Sequence, residues 1–487
     1  MKGTQLNPAL NRAPTAPAHI HLIGICGTAM AALAGMLKEQ GFTITGSDQQ
    51  VYPPMSDFLA GRHIEVQQGF RAENLHPAPD LVIVGNVVRA VNPEAIELAR
   101  LALPYLSMPQ ALAHFFLQGK VPLVVSGTHG KTTTSSLLAT TLLRMGEVPG
   151  FMIGGLVEAF GRNYNVDKSP YFVIEGDEYD TAFFNKVSKF HHYLPKFAIC
   201  TSVEFDHADI FPDLAAIKRT FAEFFGRIPE DGALIAHGDD PVLNELLSAV
   251  HCPIITYGSG ENCRWRLHEI ESRDLHSSFS FSYQGAEGAL QGSCDLPMPG
   301  RHNCLNALAV IALLHRLGFP LERILRAMST FEGVKRRQQI RGTVRGITVV
   351  DDFAHHPTAV LLTIEALHQA WPQSRLLVVF EPRTNSSRRA IFQEDYAKAF
   401  AGADQILIRQ ALPLDGIAAE EQFSSTRLAE DLHKQGLDAQ SFADTDGIID
   451  YLARHAQSGD KVIILSNGGF DNIHSRLLAR LEEKMEA

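Results

Sequence analysis

Short apolar runs recur along this chain and set its frame. AHIHLIG (18–24), FTITGSD (42–48) and DLVIVGN (80–86) read as strands, and a glycine turn and a helix follow the first of them. Strands alternating with helical stretches predict a parallel, doubly wound sheet. MPQALAHFFLQGK (108–120) predicts a helix, and at VPLVVSG (121–127) the rhythm restarts. YFVIE (171–175), KFAIC (196–200) and GALIAH (232–237) continue that second unit. From 263 to 294, short runs broken by Ser and Gly predict an antiparallel extension. RHNCLNALAVIALLHRLG (301–318) carries apolar residues at helical spacing and stops at Gly318. A third alternation opens near residue 339, with GITVVDD (346–352), RLLVVFEP (375–382), DQILIR (404–409) and DKVIILSN (460–467).

The expected architecture is α/β in three domains, 18–119, 120–338 and 339–487, after a flexible tail at 1–17. A chain of 487 residues exceeds one ordinary core, which agrees with such a division. The tail lacks the apolar stretch of a secretory leader, and no later segment offers the roughly 20 apolar residues of a membrane span. A net charge of −11 argues against non-specific nucleic-acid binding, which needs a basic face. Six scattered cysteines, none in a CxxC pair, argue against zinc knuckles and redox motifs and fit the cytoplasm.

Three stretches carry candidate chemistry at strand ends. SGTHGKTTT (126–134) lies between the strand VPLVV and a helical run, the context of a phosphate loop. Backbone N–H groups of Gly127, Thr128, His129 and Gly130 can curl around phosphate oxygens of ATP. Lys131 can reach the β/γ-phosphates, and the hydroxyl of Thr132, followed by Thr133, can ligate magnesium. The loop is shorter than G-x-x-x-x-G-K-[ST], because Val125 stands where the first glycine would be. The alternative is a glycine turn followed by an ordinary exposed lysine. IEGDEYD (174–180) ends a strand at Glu175, and TSVEFDHADIF (201–211) follows the next with Glu204, Asp206, His207 and Asp209. Each could be a metal site or a plain surface loop. Because all three stretches follow strands of one expected sheet, they should converge at its C-terminal edge.

In the first unit, Gly24, Gly27 and Thr28 form a turn before a helix, which suits a diphosphate. Cys26 stands where a G-x-G-x-x-G motif would have its second glycine, so a nicotinamide-dependent oxidoreductase is disfavoured. Asp48 ends the second strand. A plain doubly wound turn is the alternative there.

Taken in order, SGTHGKTTT, IEGDEYD, SVEFDHADIF, PGRHNCLNA (299–307) and VDDFAHHPTAV (350–360) resemble the Mur ligases of bacterial cell-wall synthesis. IGICGTAM (23–30) and GSD (46–48) resemble the branch that takes UDP-N-acetylmuramate. VYPPMS (51–56), DEYDTAFFNKVSKF (177–190), FEPRTNSSRR (380–389) and LSNGGF (465–470) are similar to the member that attaches a tripeptide. The alanine-adding member would carry a DES-type stretch at Asp177–Tyr179 and a DHMD-type stretch at Asp206–Asp209.

The resemblance implies a Rossmann-like UDP-binding domain, a central ATPase domain and a C-terminal Rossmann-like peptide-binding domain. It implies an ATP-dependent amide ligase joining UDP-N-acetylmuramate to L-Ala-γ-D-Glu-meso-diaminopimelate through an acyl phosphate, in peptidoglycan recycling. The L-alanine ligase of the biosynthetic pathway is the alternative. By the same resemblance, Lys131, Glu175 and His207 are catalytic, and Thr132, Glu175 and His207 hold magnesium. No lysine stands near residue 221 in IKRTFAEFF (217–225), so no carbamoylated lysine is expected. Asn303 and Asn306 face adenine, with helix capping by Asn303 as the alternative. The resemblance further implies that Arg337 reaches the phosphates and Asp351 takes the ribose hydroxyls, with a solvated basic run and a buried strand-end Asp without ligand as the alternatives. It implies that Gly24, Gly27, Thr28 and Asp48 hold the UDP-sugar and that Arg383, Asn385 and Arg388 meet the peptide's carboxylates, with a plain surface turn as the alternative for the last three.

Overall fold

A computed structural model describes residues 3–285 and 288–483. The chain forms two compact units. One contains the residues up to Val203, Ala215–Tyr257 and Ala312–Phe319; the other contains Glu204–Leu214, Gly258–Ile311 and the chain from Pro320 onward.

The first unit holds two sheets. In one, the strands Glu65–Gln68, Thr43–Asp48, His19–Ile23, Leu81–Val84 and Tyr105–Ser107 lie side by side in that order, all parallel. His19–Ile23 is central, and Leu81–Val84 is buried along its whole length, which explains its unbroken apolar run. The strand order reverses across His19–Ile23, so a crevice opens beyond its C-terminal end. In the second sheet of this unit, Ile254–Gly258, Ala233–His237, Phe197–Cys200, Val121–Ser126, Tyr171–Gly176, Gly150–Val157 and Arg162–Asn165 follow one another. All of these pairs are parallel except the last, which is antiparallel. The strands that precede the three polar stretches, Phe197–Cys200, Val121–Ser126 and Tyr171–Gly176, are therefore immediate parallel neighbours.

The second unit carries the antiparallel strands Trp265–Arg273, His276–Gly285 and Gly288–Leu296, the extension expected from the broken runs. Its main sheet runs Gln339–Val344, Ile347–Asp352, Lys461–Leu465, Leu376–Phe380, Gln405–Arg409, Asp438–Phe442. Only the first pair is antiparallel. Several strands had no reading in the sequence, among them Glu65–Gln68, Arg162–Asn165 and Gln339–Val344. They are short or polar and end their sheets, so they bury too little to need an apolar run.

The stretch expected to be a flexible tail is corrected in its first part by the structure, which docks residues 4–11 on the first unit. The Thr4 N–H donates to Ala90 O at 2.8 Å, and Leu6 is buried in a cluster with Val84, Leu98 and Tyr105. Asn11 donates to Tyr105 O at 3.0 Å and exchanges amide bonds with Gln110. Two leucines and one bidentate asparagine suffice to hold a segment that composition marks only as polar and proline-rich. Among the described residues, no helix is long and apolar enough to cross a membrane.

Candidate functional site

The phosphate loop joins Val121–Ser126 to the helix Lys131–Arg144. Gly127 and Gly130 have φ of +129° and +79°, backbone that other residues adopt only under strain. A methyl group on Gly127 would also collide with the Thr201 hydroxyl. The Lys131 Nζ donates to Gly127 O at 2.7 Å and to Glu178 Oε2 at 3.0 Å. Burial would lower the Lys131 pKa, but the carboxylates of Glu178 and Asp177 outweigh it and hold the ammonium above its ordinary value. Glu178 is thus the acid that meets the loop lysine, and the sequence did not rank it above its neighbours in IEGDEYD. Glu175, the last residue but one of its strand, lies beside Gly154 of the adjacent strand, where an added methyl would sit 2.9 Å from Oε2. Thr132 lies buried in the first helical turn. Its hydroxyl and the Glu175 carboxylate are hard oxygen donors of the kind that suits Mg²⁺.

A cavity of about 500 Å³ lies where the first sheet reverses its order, and Gly24, Gly27, Thr28 and Asp48 all line it. Gly27 caps the helix Thr28–Glu39 without a side-chain bond, which leaves that helix start fit for an anion. Gly24 has φ +81°. The Asp48 carboxylate accepts the N–H of Cys26 at 2.9 Å and of Gln50 at 3.2 Å, so it also fastens the turn. Burial and the Asp48 charge push the Cys26 thiol up to about 11, which keeps it protonated and weakly reactive.

Two further residues of this cavity, Thr181 and Lys189, come from the stretch that follows the Tyr171–Gly176 strand. Lys189 is 8% exposed. Its Nζ donates to Asp177 Oδ2 at 3.1 Å and to the Tyr179 hydroxyl at 3.0 Å, and it lies 4.2 Å from the Tyr179 ring centre. Burial would raise Asp177, but Lys189 and Lys131 together hold it below the usual carboxylate range. One segment, Asp177–Lys189, therefore reaches the phosphate loop through Glu178 and the cavity through Thr181 and Lys189. Lys189 escaped the sequence reading because a lone lysine, thirteen positions after Gly176, carries no local pattern.

In the second unit, His207 adopts φ +53° and donates its N–H to Asp206 Oδ1 at 2.6 Å. Burial would raise Asp206, yet the charges of His207, His356 and His355 outweigh it and keep its carboxyl well below the usual range. Glu204 accepts a bond from the Thr358 hydroxyl at 2.7 Å and lies 3.9 Å from His356. Asp209 accepts from Asn385 at 2.8 Å, and Arg388 donates to Asn385 at 3.3 Å. The loop bearing His207 and the turn bearing Arg383, Asn385 and Arg388 are thereby joined. Arg383 lies over Gly468, where a methyl group would collide with its guanidinium.

Asn303 is not the cap of its helix, which begins at Arg301; its side chain donates to Pro299 O at 2.8 Å and Gln338 Oε1 at 3.2 Å. Asn306, one turn on, is buried as well. Arg337 lies 4.8 Å from the Phe353 ring centre. Asp351 is buried and engaged by Arg341 at 3.2 Å, His474 at 3.3 Å and Arg336 at 3.4 Å, so its carboxylate serves an ion cluster here. Its neighbour Asp352, pointing to the other face of the strand, accepts the N–H groups of Gln338 and Ala354, both at 2.8 Å.

Comparison with known proteins adds three matches along the chain. Residues 19–120 match the model described as Mur ligase family, catalytic domain, 125–314 the Mur ligase middle domain, and 336–468 the Mur ligase, glutamate ligase domain. The chain is 38% identical to a UDP-N-acetylmuramate–L-alanyl-γ-D-glutamyl-meso-2,6-diaminoheptandioate ligase of Haemophilus influenzae, covering 96% of this chain and 100% of that one. It is 35% identical to a UDP-N-acetylmuramate–L-alanine ligase of Geobacter sulfurreducens, covering 96% and 98%. The crystal structure of a murein peptide ligase from Psychrobacter arcticus superposes with a TM-score of 0.71 at 34% identity, covering 95% and 98%.

Proposed function

The chain belongs to the Mur ligase family, whose members form amide bonds with ATP, and on that premise we propose that it joins UDP-N-acetylmuramate to L-Ala-γ-D-Glu-meso-diaminopimelate. The observation that carries this reading is the segment Asp177–Lys189, which touches both a phosphate loop and an anion-ready cavity. A ligase that phosphorylates a carboxylate needs those two sites coupled.

In this reading the diphosphate of the nucleotide sugar lies on the start of helix Thr28–Glu39, and Lys189 meets an anionic group of the same substrate. Lys131 and the loop N–H groups hold the β/γ-phosphates of ATP. Thr132 and Glu175 would hold one Mg²⁺ and His207 a second; such ions supply neutralisation of phosphate charge. The sugar's carboxylate oxygen attacks the γ-phosphorus, ADP leaves, and an acyl phosphate forms. The peptide's amine then attacks the acyl carbon, and phosphate departs as the amide forms. Arg383, Asn385 and Arg388 receive the peptide's carboxylates, with Arg383 half exposed beside Glu381 at 3.6 Å and able to present its planar fork. Asn303, Asn306 and Arg337 serve the nucleotide. Asp351 meets the ribose only after releasing one of its present cations. The substrates, ATP and a nucleotide sugar, put the reaction in the cytoplasm, and a released wall peptide as acceptor makes it a recycling step.

The test is phosphate release from ATP and Mg²⁺ with UDP-N-acetylmuramate, comparing the tripeptide with L-alanine and weighing the product by mass. Release with the tripeptide alone is expected. Release with L-alanine alone would move the protein to the biosynthetic reaction, and release with neither would overturn the substrate assignment.

A further inference from the structure

The segment Asp177–Lys189 reaches the cavity from a separate sheet, so something must hold it there. Ala182, Phe183 and Phe184 pack against the cluster that contains Tyr105, Val84 and Leu98 of the first sheet and its helix. The rings of Tyr105 and Phe184 meet edge to face, with centres 4.7 Å apart. The docked N-terminal stretch closes the same cluster. Leu6 is part of it and Leu10 packs against it. The Tyr105 hydroxyl donates to Asn7 O at 3.2 Å, and Asn11 holds Tyr105 O and Gln110. Thr181 and Lys189, on either side of the Phe pair, line the cavity, as does Met108, three residues after Tyr105.

We propose that residues 4–11 form a positioning strap: by packing Leu6 and Leu10 into the Tyr105–Ala182–Phe184 cluster, they fix the segment that delivers Thr181 and Lys189 to the nucleotide-sugar cavity. The strap touches no substrate. It acts through Tyr105, whose ring bears on Phe184 and whose two polar atoms the strap ties down. Its loss widens the range of positions open to Lys189 and weakens sugar binding, while the phosphate loop, held by its own bonds to Thr201 and Ser202, keeps its geometry. This inference rests on the reading of the cavity as the UDP-N-acetylmuramate site.

The experiment compares the full chain with a deletion of residues 3–11 and with Leu6→Ala and Asn11→Ala. Binding of UDP-N-acetylmuramate to the full chain is measured first by calorimetry; no binding there sinks the reading of the cavity itself. Given binding, the deletion is expected to raise KM for UDP-N-acetylmuramate about tenfold, with kcat and KM for ATP unchanged within about twofold. Leu6→Ala should give part of that rise, and Leu6→Met, which refills the volume, should restore the parent value. An unchanged sugar KM in the deletion overturns the strap, as does a parallel loss of kcat and ATP affinity, which marks general destabilisation. If the deletion does not fold, the two point variants carry the test alone: a sugar-specific KM rise supports the strap and its absence refutes it.

Discussion

Two glycine turns in the first unit face one physical problem and solve it from different sources. Each follows a parallel strand, opens a helix and can place an anion on that helix's start. The loop at Gly127–Thr133 brings its own cation: Lys131 is the first residue of the helix, and its charge is balanced by Glu178 and Asp177 from the adjacent strand end. The turn at Gly24–Thr28 has none. Lys189 is supplied from more than 160 positions along the chain and held against Asp177 and Tyr179 at the cavity's edge. A site whose charge is local can be read as a motif. A site whose charge is borrowed becomes visible only when the chain is folded, and it depends on whatever fixes the lender.

That contrast can be broken or sharpened by substitution, the largest effect first. Lys131→Ala should lower kcat about a thousandfold, the cost of removing one fixed donor from a developing charge, with the sugar's affinity unchanged. If phosphate release survives, the loop is not the catalytic site. Lys189→Met should do the opposite and raise KM for UDP-N-acetylmuramate between about tenfold and a hundredfold, the worth of a charge-assisted bond of roughly 1.5–3 kcal/mol. A fall in kcat alone would assign Lys189 to the phosphate loop instead.

The glycines separate the two turns again. Gly127→Ala meets the Thr201 hydroxyl and a φ of +129°, and should cost about 2 kcal/mol in thermal or denaturant unfolding. Gly27→Ala has φ −65° and nothing nearer than 3.8 Å, so stability should move by less than about 0.5 kcal/mol. Its methyl would stand where the ligand approaches, so only the sugar's KM should rise, by about tenfold. Equal stability losses in the two variants would dissolve the distinction. The smallest effect concerns Cys26. With its thiol pushed up to about 11, only the thiolate fraction reacts, about one part in a thousand at pH 8, and alkylation should accelerate steadily as pH rises towards that value. Fast labelling at pH 7 would mean that burial and the neighbouring Asp48 do not hold the thiol up.

Much of the fold was legible because burial on both faces demands continuous apolar runs. VPLVV, FAIC, LVIV and LLVVF each sit inside a sheet, and each was readable as a strand. Edge strands such as Glu65–Gln68 and Arg162–Asn165 were not, because half their surface faces water and their residues need not be apolar. The convergence of the strand ends was inferable from alternation alone, and the neighbouring places of Phe197–Cys200, Val121–Ser126 and Tyr171–Gly176 agree with it. Side-chain pairing was less legible. Which acid of IEGDEYD meets Lys131 depends on the turn after Gly176, and Asp351 and Asp352 part to opposite faces with different partners.

By itself the sequence determined the ligase family, the glycine turns before helices and the lysine of the phosphate loop, since these are matters of local spacing and the order of motifs. Only the tertiary structure decided that Lys189 belongs to the first cavity, that Glu178 balances Lys131, and that residues 4–11 are docked rather than loose. Those three depend on contacts between segments far apart in the chain, where a single charge or a pair of leucines counts for much once water is excluded and leaves no periodic trace in the sequence.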